Sequence, residues 1–268
     1  MRAAGALRAR LVLRAAAAGL LTASLFGCAN TAAPAGEVAG GGLNVAAKTN
    51  PRDPWEGWNR AIFAFNEGLD DLVLRPVATV YRDVVPQFMR TGVSNVFNNF
   101  ADAWGAVNSL LQGKPEAAVT DVMRFAVNSS FGILGLLDIA TEAGMEPSRE
   151  DFGQTLGRWG LGAGPYLVLP LLGPSSLRDT AALPADVYAS PTAVVDGETA
   201  EWGLRTLNIV NRRANLLGAT KVLDDIALDK YSFVRDAYLA RRRSLVYDGD
   251  PPALPEDDTG EPPGATMR

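Results

Sequence analysis

Histidine is absent from this 268-residue chain, cysteine occurs once, and no apolar run is long enough to cross a bilayer as a helix. Each absence excludes a class of chemistry. Without histidine there are no Ser-His or Cys-His nucleophile pairs, no imidazole general base, and few ways to hold zinc. A lone cysteine, Cys28, excludes an intramolecular disulfide. Basic residues are also scarce. Four of the 25, Arg2, Arg8, Arg10 and Arg14, lie in the first 27 residues, which carry no acid. The remaining 21 face 30 acids, so the rest of the chain stands near −9. That balance excludes nucleic acid as a partner and electrostatic docking on anionic lipid, and leaves apolar faces for any lipid contact. A carboxylate-based enzyme is the catalytic alternative that remains. Its candidates are Glu142, Glu146, Glu150 and Asp151 in the polar segment TEAGMEPSREDFG, which reads in the first place as a loop of solvated charge.

What is present begins with a secretory signal: an arginine-bearing head, an apolar stretch from Ala15 to Phe26, and Gly27 before the cysteine. Leu25-Phe26-Gly27-Cys28 resembles a bacterial lipobox, in which the cysteine is acylated and becomes the new N-terminus; an ordinary signal with an incidental cysteine is the alternative. The boundaries expected are a signal over 1–27, a lipidated flexible tether over 28–52, a helical domain over 53–247, and an acidic, proline-rich disordered tail over 248–268. A Gly/Ala-rich tether of this length reaches roughly 25 to 30 Å, and three acyl chains at ~0.8 kcal/mol per methylene make the anchor permanent.

Helical periodicity dominates the middle of the chain. Asp53-Pro54-Trp55-Glu56 reads as a capping box with proline in the first turn. Trp55, Trp58, Ile62, Phe65, Leu69 and Leu72 then form one apolar stripe, facing either the core or a membrane interface. Phe88 to Leu111 predicts a helix whose other side carries Asn95, Asn98, Asn99 and Asp102. Solvated helices carry Lys, Glu and Arg, so this nearly uncharged stripe lines a wet passage or caps its neighbours. FGILGLLDIA (131–140) is too short to span a bilayer and is expected either inside the protein or shallowly in lipid. Arg241-Arg242-Arg243 ends the last predicted helix, as a solvated turn complementing the helix dipole or as a contact for lipid phosphates or an acidic partner. Strand alternation is scarce, and the fold expected is mostly α.

Gly157, Gly160, Gly162 and Gly164 crowd ahead of an apolar arm, Tyr166 to Leu172. Their spacing fits neither G-x-G-x-x-G nor a Walker run, because Pro165 intervenes and no Gly-Lys-Ser/Thr follows. A pliable turn is the better reading, with Gly160, Gly162 and Gly164 as hinges.

Together DPWEGWNR (53–60), RPVATVYRDVVP (75–86), SNVFNNF with Asn108 and LLQG (110–113), RFAVNSSFGILGLLDIA (124–140) and FGQTLGRWGLGAGPYLVLPLLGPSSLRD (152–179) resemble the VacJ/MlaA family of outer-membrane lipoproteins. The chain departs from the family pattern at Ala103, where proline is usual, and at Trp55 and Trp58, where Phe or Leu is usual. The resemblance implies a single ring-like, multi-helix domain lying in the inner leaflet of the outer membrane, with an amphipathic channel and a Gly/Pro-rich hairpin loop. It implies a protein that is not an enzyme and needs no cofactor or metal. Such a protein works beside a trimeric porin, removes phospholipids from the outer leaflet, and passes them to a periplasmic carrier. On that reading Cys28 carries the lipid on the periplasmic face, and Asn95, Asn98, Asn99 and Asp102 form part of the channel's polar side. The two rivals are the carboxylate enzyme, processing lipid or peptidoglycan, and a purely structural porin-binding lipoprotein.

Overall fold

The structure, a computed structural model, describes residues 50–190 and 195–253, within a unit that begins at Lys48. The signal, Cys28, nearly all of the tether and most of the acidic tail lie outside the described residues. The described chain is mostly helical: α1 (Glu56–Leu69), a π-helical turn (Asp70–Leu74), α2 (Arg75–Val84), α3 (Gln87–Leu111), α4 (Pro115–Ser130), α5 (Ile139–Glu142) and α6 (Phe152–Arg158). A two-stranded hairpin follows, β1 (Tyr166–Leu169) and β2 (Gly173–Ser176), and then α7 (Leu177–Tyr188), α8 (Glu198–Ile226) and α9 (Lys230–Val246).

α1 starts two residues later than the capping box predicts. Trp55 holds the cap position without a side-chain bond. Asp53 turns inward instead, accepting from Asn59 Nδ2 at 2.8 Å, Tyr231 OH at 2.5 Å and Arg235 Nη1 at 3.3 Å. The helix then runs on past Pro76 because the backbone widens: Arg75 N donates to Asp70 O, five residues back, so the turn has room for a residue with no N–H to give.

α3 lies along α4, α2 along α8, and α6 along α7. Small residues sit at these crossings, with Ala78, Ala118 and Ala182 almost wholly buried. The one cluster of large buried apolar side chains, among the described residues, is Tyr166, Val168 and Tyr231, with Ile62, Phe63, Tyr238 and Leu239 against it. Tyr231 meets Phe63 and Tyr166 edge-on at 5.6 and 6.2 Å, an arrangement that adds to the area term. Elsewhere the interior is held by polar groups. Among the described residues, more polar or charged side chains than apolar ones are buried, Asn59, Asn108, Asp121 and Thr155 completely.

Much of the apolar stripe of α1 does not face the core. Trp58, Phe65 and Leu72 are 54, 55 and 81 % exposed, whereas Asn59, which falls off the stripe, is fully buried. FGILGLLDIA is not a helix inside the protein: Phe131, Ile133 and Leu134 stand out on a tight loop, with Ile133 and Leu134 both in the left-handed region at φ 54° and 56°.

Candidate functional site

Two features set this surface apart from that of an ordinary globular domain. The first is apolar exposure continued from element to element: Trp58 and Phe65 on α1, Val80 and Val84 on α2, Phe88 at the start of α3, Val119 on α4, then the Phe131–Leu134 tip and Leu171 and Leu172 at the hairpin turn. Exposed apolar patches of this extent mark a contact with lipid or protein. Among the described residues no helix is long and apolar enough to cross a membrane.

The second is a polar framework beneath that surface. Arg124 on α4 is its largest hub. Its guanidinium donates to Asp102 Oδ2 at 3.0 Å, Thr141 Oγ1 at 3.0 Å and the Met145 carbonyl, and approaches Asp138 at 3.4 Å. Asn128 bridges the same group, donating to Asp138 Oδ1 and accepting from Ala140 N. Burial pushes the Asp102 carboxyl up to about 6, with Arg124 pulling the other way. Asp138 is held below the usual carboxylate range despite its burial by bonds from Thr141 and Asn128. Nearby, Asn108 accepts from Thr155 Oγ1 at 2.8 Å, and Lys114 pairs with Glu150 at 3.0 Å.

This framework divides the four residues expected along a channel. Asn99 and Asp102 are taken up between α3 and α4: Asn99 donates to Ser129 Oγ at 2.9 Å, and Asp102 holds Arg124. Both are buried, at 2 and 5 % exposure. Asn98 is exposed and Asn95 half-buried, the latter donating to the Leu136 carbonyl at 3.0 Å. On the other face of α3 a cavity of about 320 Å³ opens toward α8, walled by Val93, Val96, Phe97, Phe100, Leu204 and Leu207. So α3 carries amides on one face and walls an apolar slot with the other.

The glycine-rich stretch leads into the hairpin. Gly160 and Gly164 have φ of +95° and +68°, and a Cβ on Gly164 would lie 3.1 Å from that of Leu177. Gly162 has neither a positive φ nor a close neighbour. Part of the apolar arm is core: Tyr166 and Val168 are buried, whereas Pro170, Leu171 and Leu172 at its tip are exposed. The free edge of β1 is clamped by α1. Asn59 donates to Tyr166 O at 3.0 Å and accepts from Val168 N at 2.9 Å; one step along, Asn66 donates to Leu169 O and accepts from Leu171 N at 2.9 and 2.8 Å. Two amides seven residues apart thus act as a neighbouring strand. Sequence reasoning missed them, because they fall away from the apolar stripe alongside the charged Glu56, Arg60 and Glu67.

The carboxylates of the rival enzyme reading do not converge. Glu142 and Glu146 are exposed, Glu150 holds Lys114 and Gln112, and Asp151 caps α6 while accepting from Arg242. The last of these corrects the solvated-turn reading of the arginine run, since Arg242 reaches both Asp151 and Asp179.

A model of the MlaA lipoprotein family matches residues 51–245. The chain belongs to the MlaA lipoprotein family. Its relatives include the intermembrane phospholipid transport system lipoprotein MlaA of Escherichia coli strain K12, 34 % identical over 244 residues that span 89 % of this chain and 90 % of that protein. The protein of the same description in Haemophilus influenzae is 30 % identical over 246 residues, covering 87 % of this chain and 92 % of that one. A Rickettsia bellii relative, itself uncharacterized, is 34 % identical over 209 residues, 77 % of this chain and 82 % of its own. A solved structure described as the structural basis for maintenance of bacterial outer membrane lipid asymmetry matches with a TM-score of 0.63 at 37 % identity, covering 72 % of this chain and 98 % of that chain. MlaA family membership accounts for the mostly helical single domain and for the hairpin, which the resemblance implies.

Proposed function

We propose that this MlaA-family chain is a phospholipid-transport lipoprotein of the outer membrane, which maintains lipid asymmetry by withdrawing phospholipids from the outer leaflet. One observation carries the reading: the fold is apolar outside and polar within, from Trp58 and Leu72 at its surface to Asn59 and Arg124 in its interior. Such a body is stable where its outer face meets hydrocarbon, at ~25 cal/mol per Å² of apolar surface removed from water. Without a spanning helix among the described residues, it lies within one leaflet, tied to it through acylated Cys28 on the periplasmic side. The Escherichia coli and Haemophilus influenzae relatives carry the intermembrane phospholipid transport description, which supports the same substrate here.

Moving a phospholipid breaks no covalent bond, so the protein needs no catalytic residue. Its task is to lower the cost of carrying a polar head past hydrocarbon and acyl tails past water, tens of kcal/mol for a whole lipid at ~0.8 kcal/mol per methylene. Asn95 and Asn98 on α3, across the helix from the apolar slot, supply the polar side of that path. Gly160 and Gly164 permit the turn that positions the hairpin next to it. A trimeric porin borders the protein in the membrane, and a periplasmic carrier takes the lipid on. The test is the outer-leaflet phospholipid content of a deletion strain restored with the parent gene, with Cys28→Ala, or with Asn95→Leu/Asn98→Leu. The parent restores asymmetry and the variants do not. Full restoration by all variants at normal protein levels defeats the reading.

A further inference from the structure

A second cavity, of about 260 Å³, lies between the Gly157–Ala163 turn, the start of α7 and the last two turns of α9. Four arginines line it, Arg52, Arg178, Arg242 and Arg243, and no carboxylate does. The acids that balance two of them stand behind the wall. Asp179 accepts from Arg178 Nε at 2.9 Å and from Arg242 Nε at 2.8 Å, and Asp151 accepts from Arg242 Nη1 at 2.5 Å. These carboxylates fix the two guanidiniums in place: Arg178 and Arg242 side chains are only 5 and 14 % exposed. Asp151 and Asp179 are held below the usual carboxylate range despite burial, by Arg242 above all. Arg52 also lines the cavity, and Arg243 donates to the Pro252 carbonyl through Nη2.

Gly157 makes the room. A Cβ there would lie 2.6 Å from Arg178 Nη1 and 2.8 Å from Val246 Cγ2. Its bare backbone therefore lets a guanidinium edge stand at the cavity wall, with Nε and Nη2 turned to Asp179 and Nη1 toward Gly157. Apart from Ser176, the rest of the lining is apolar, aromatic or glycine, with Leu161 and Tyr247 at 53 and 40 % exposure. An inorganic anion gains nothing from such walls. An amphiphile gains from both halves, its anionic group on the arginines and its first carbons on Leu161, Leu239 and Tyr247. The volume lies below that of drug-sized pockets, so two acyl tails stay outside.

We infer that this cavity is a seat for a phosphate group borne by an amphiphile, with Arg243 and the Nη1 edge of Arg178 as its donors, since all three nitrogens of Arg242 are held by Asp151 and Asp179. Guanidinium is the side chain best shaped for phosphate oxygens. Resting on the transport reading above, the inference assigns the seat to a phospholipid headgroup.

The test uses the full-length chain in detergent, titrated calorimetrically with dihexanoylphosphatidylglycerol, dihexanoylglycerol, glycerol 3-phosphate and inorganic phosphate. The phospholipid binds most tightly, and dihexanoylglycerol and inorganic phosphate bind weakly. Arg243→Gln weakens the phospholipid about tenfold, as loss of a charge-assisted bond does, and Arg243→Lys recovers part of it. Gly157→Ala, which fills the cradle, weakens it further; if that variant does not fold, Arg243→Gln carries the test. Unchanged binding by a folded Arg243→Gln overturns the seat, and inorganic phosphate matching the phospholipid overturns its assignment to lipid. A parent protein that binds the probe yet moves no lipid between vesicles overturns the transport reading instead and leaves the seat standing.

Discussion

At the scale of single residues, buried amides and ions hold this protein together, so the most damaging substitutions are polar ones. Asn59 is fully buried and spends its amide on Asp53 and on both faces of the β1 backbone. Asn59→Ala strands a carbonyl and an N–H in the interior, and at ~1 to 3 kcal/mol for each buried unpaired group it costs about 2 to 4 kcal/mol in denaturant unfolding. Exposed Asn98→Ala stays within about 0.5 kcal/mol of the parent. Asp102 gives a pH signature. Its carboxyl is raised to about 6, so the folded state keeps a proton that the unfolded chain releases near the ordinary value of 3.8. The stability it contributes is therefore complete below pH 4 and is lost as pH rises through 6. Melting temperatures of parent and Asp102→Asn, compared from pH 4.5 to 7.5, diverge in the variant's favour toward the upper end, with a ceiling of ~3 kcal/mol. A difference that stays constant across that range rules out this role for Asp102. Asp151 and Asp179, held low, act in the opposite sense: their stabilisation is present at neutral pH and lost below about 4.

At the scale of elements, strain and glycine chemistry mark where the backbone is fixed. Gly164 needs its left-handed φ and packs on Leu177, whereas Gly162 needs neither. Gly164→Val therefore lowers the melting temperature by several degrees and Gly162→Val leaves it unchanged, a contrast that equal hinge roles for the two do not produce. Ile133 and Leu134, two exposed apolar residues in consecutive left-handed conformations, cost about 1 to 2 kcal/mol each. Leu134→Gly should stabilise the isolated fold by about 1 kcal/mol while weakening its flotation with phospholipid vesicles, because it relieves strain and removes a lipid-facing side chain together. Much at this scale was legible in sequence. The periodicity of α3 gives its bounds to within a residue, the glycines give a turn before Tyr166, and the family resemblance gives the hairpin. The start of α1 and the inward turn of Asn59 were not legible, because a 3.6-residue stripe gives the same periodicity whether it faces a core or a membrane. Which face turns in was decided by partners more than a hundred residues away, such as Tyr166 and Tyr231. The α3 stripe was divided in the same way, since Arg124 claims Asp102 and leaves Asn98 outside.

For the whole molecule, the distribution of apolar side chains determines how it should be handled. Leu72, Val84 and Phe88 touch little in the fold, so replacing all three by glutamate leaves the melting temperature in detergent nearly unchanged and abolishes co-flotation with vesicles. Retained flotation would show that the outer face is not the lipid-contacting surface. The junction at Arg52 and Asp53 bears on a different property, mechanical strength. Tyr166 N donates to Arg52 O at 2.8 Å, and Asp53 is bonded to α1 and α9. A force pulling on the segment before Arg52 is thus delivered at once to β1, α1 and α9, loading them in parallel instead of peeling α1 away from its first turn. In a pulling experiment the chain resists until a single high-force rupture, and Asp53→Asn, which weakens the knot, converts that event into stepwise fraying at lower force.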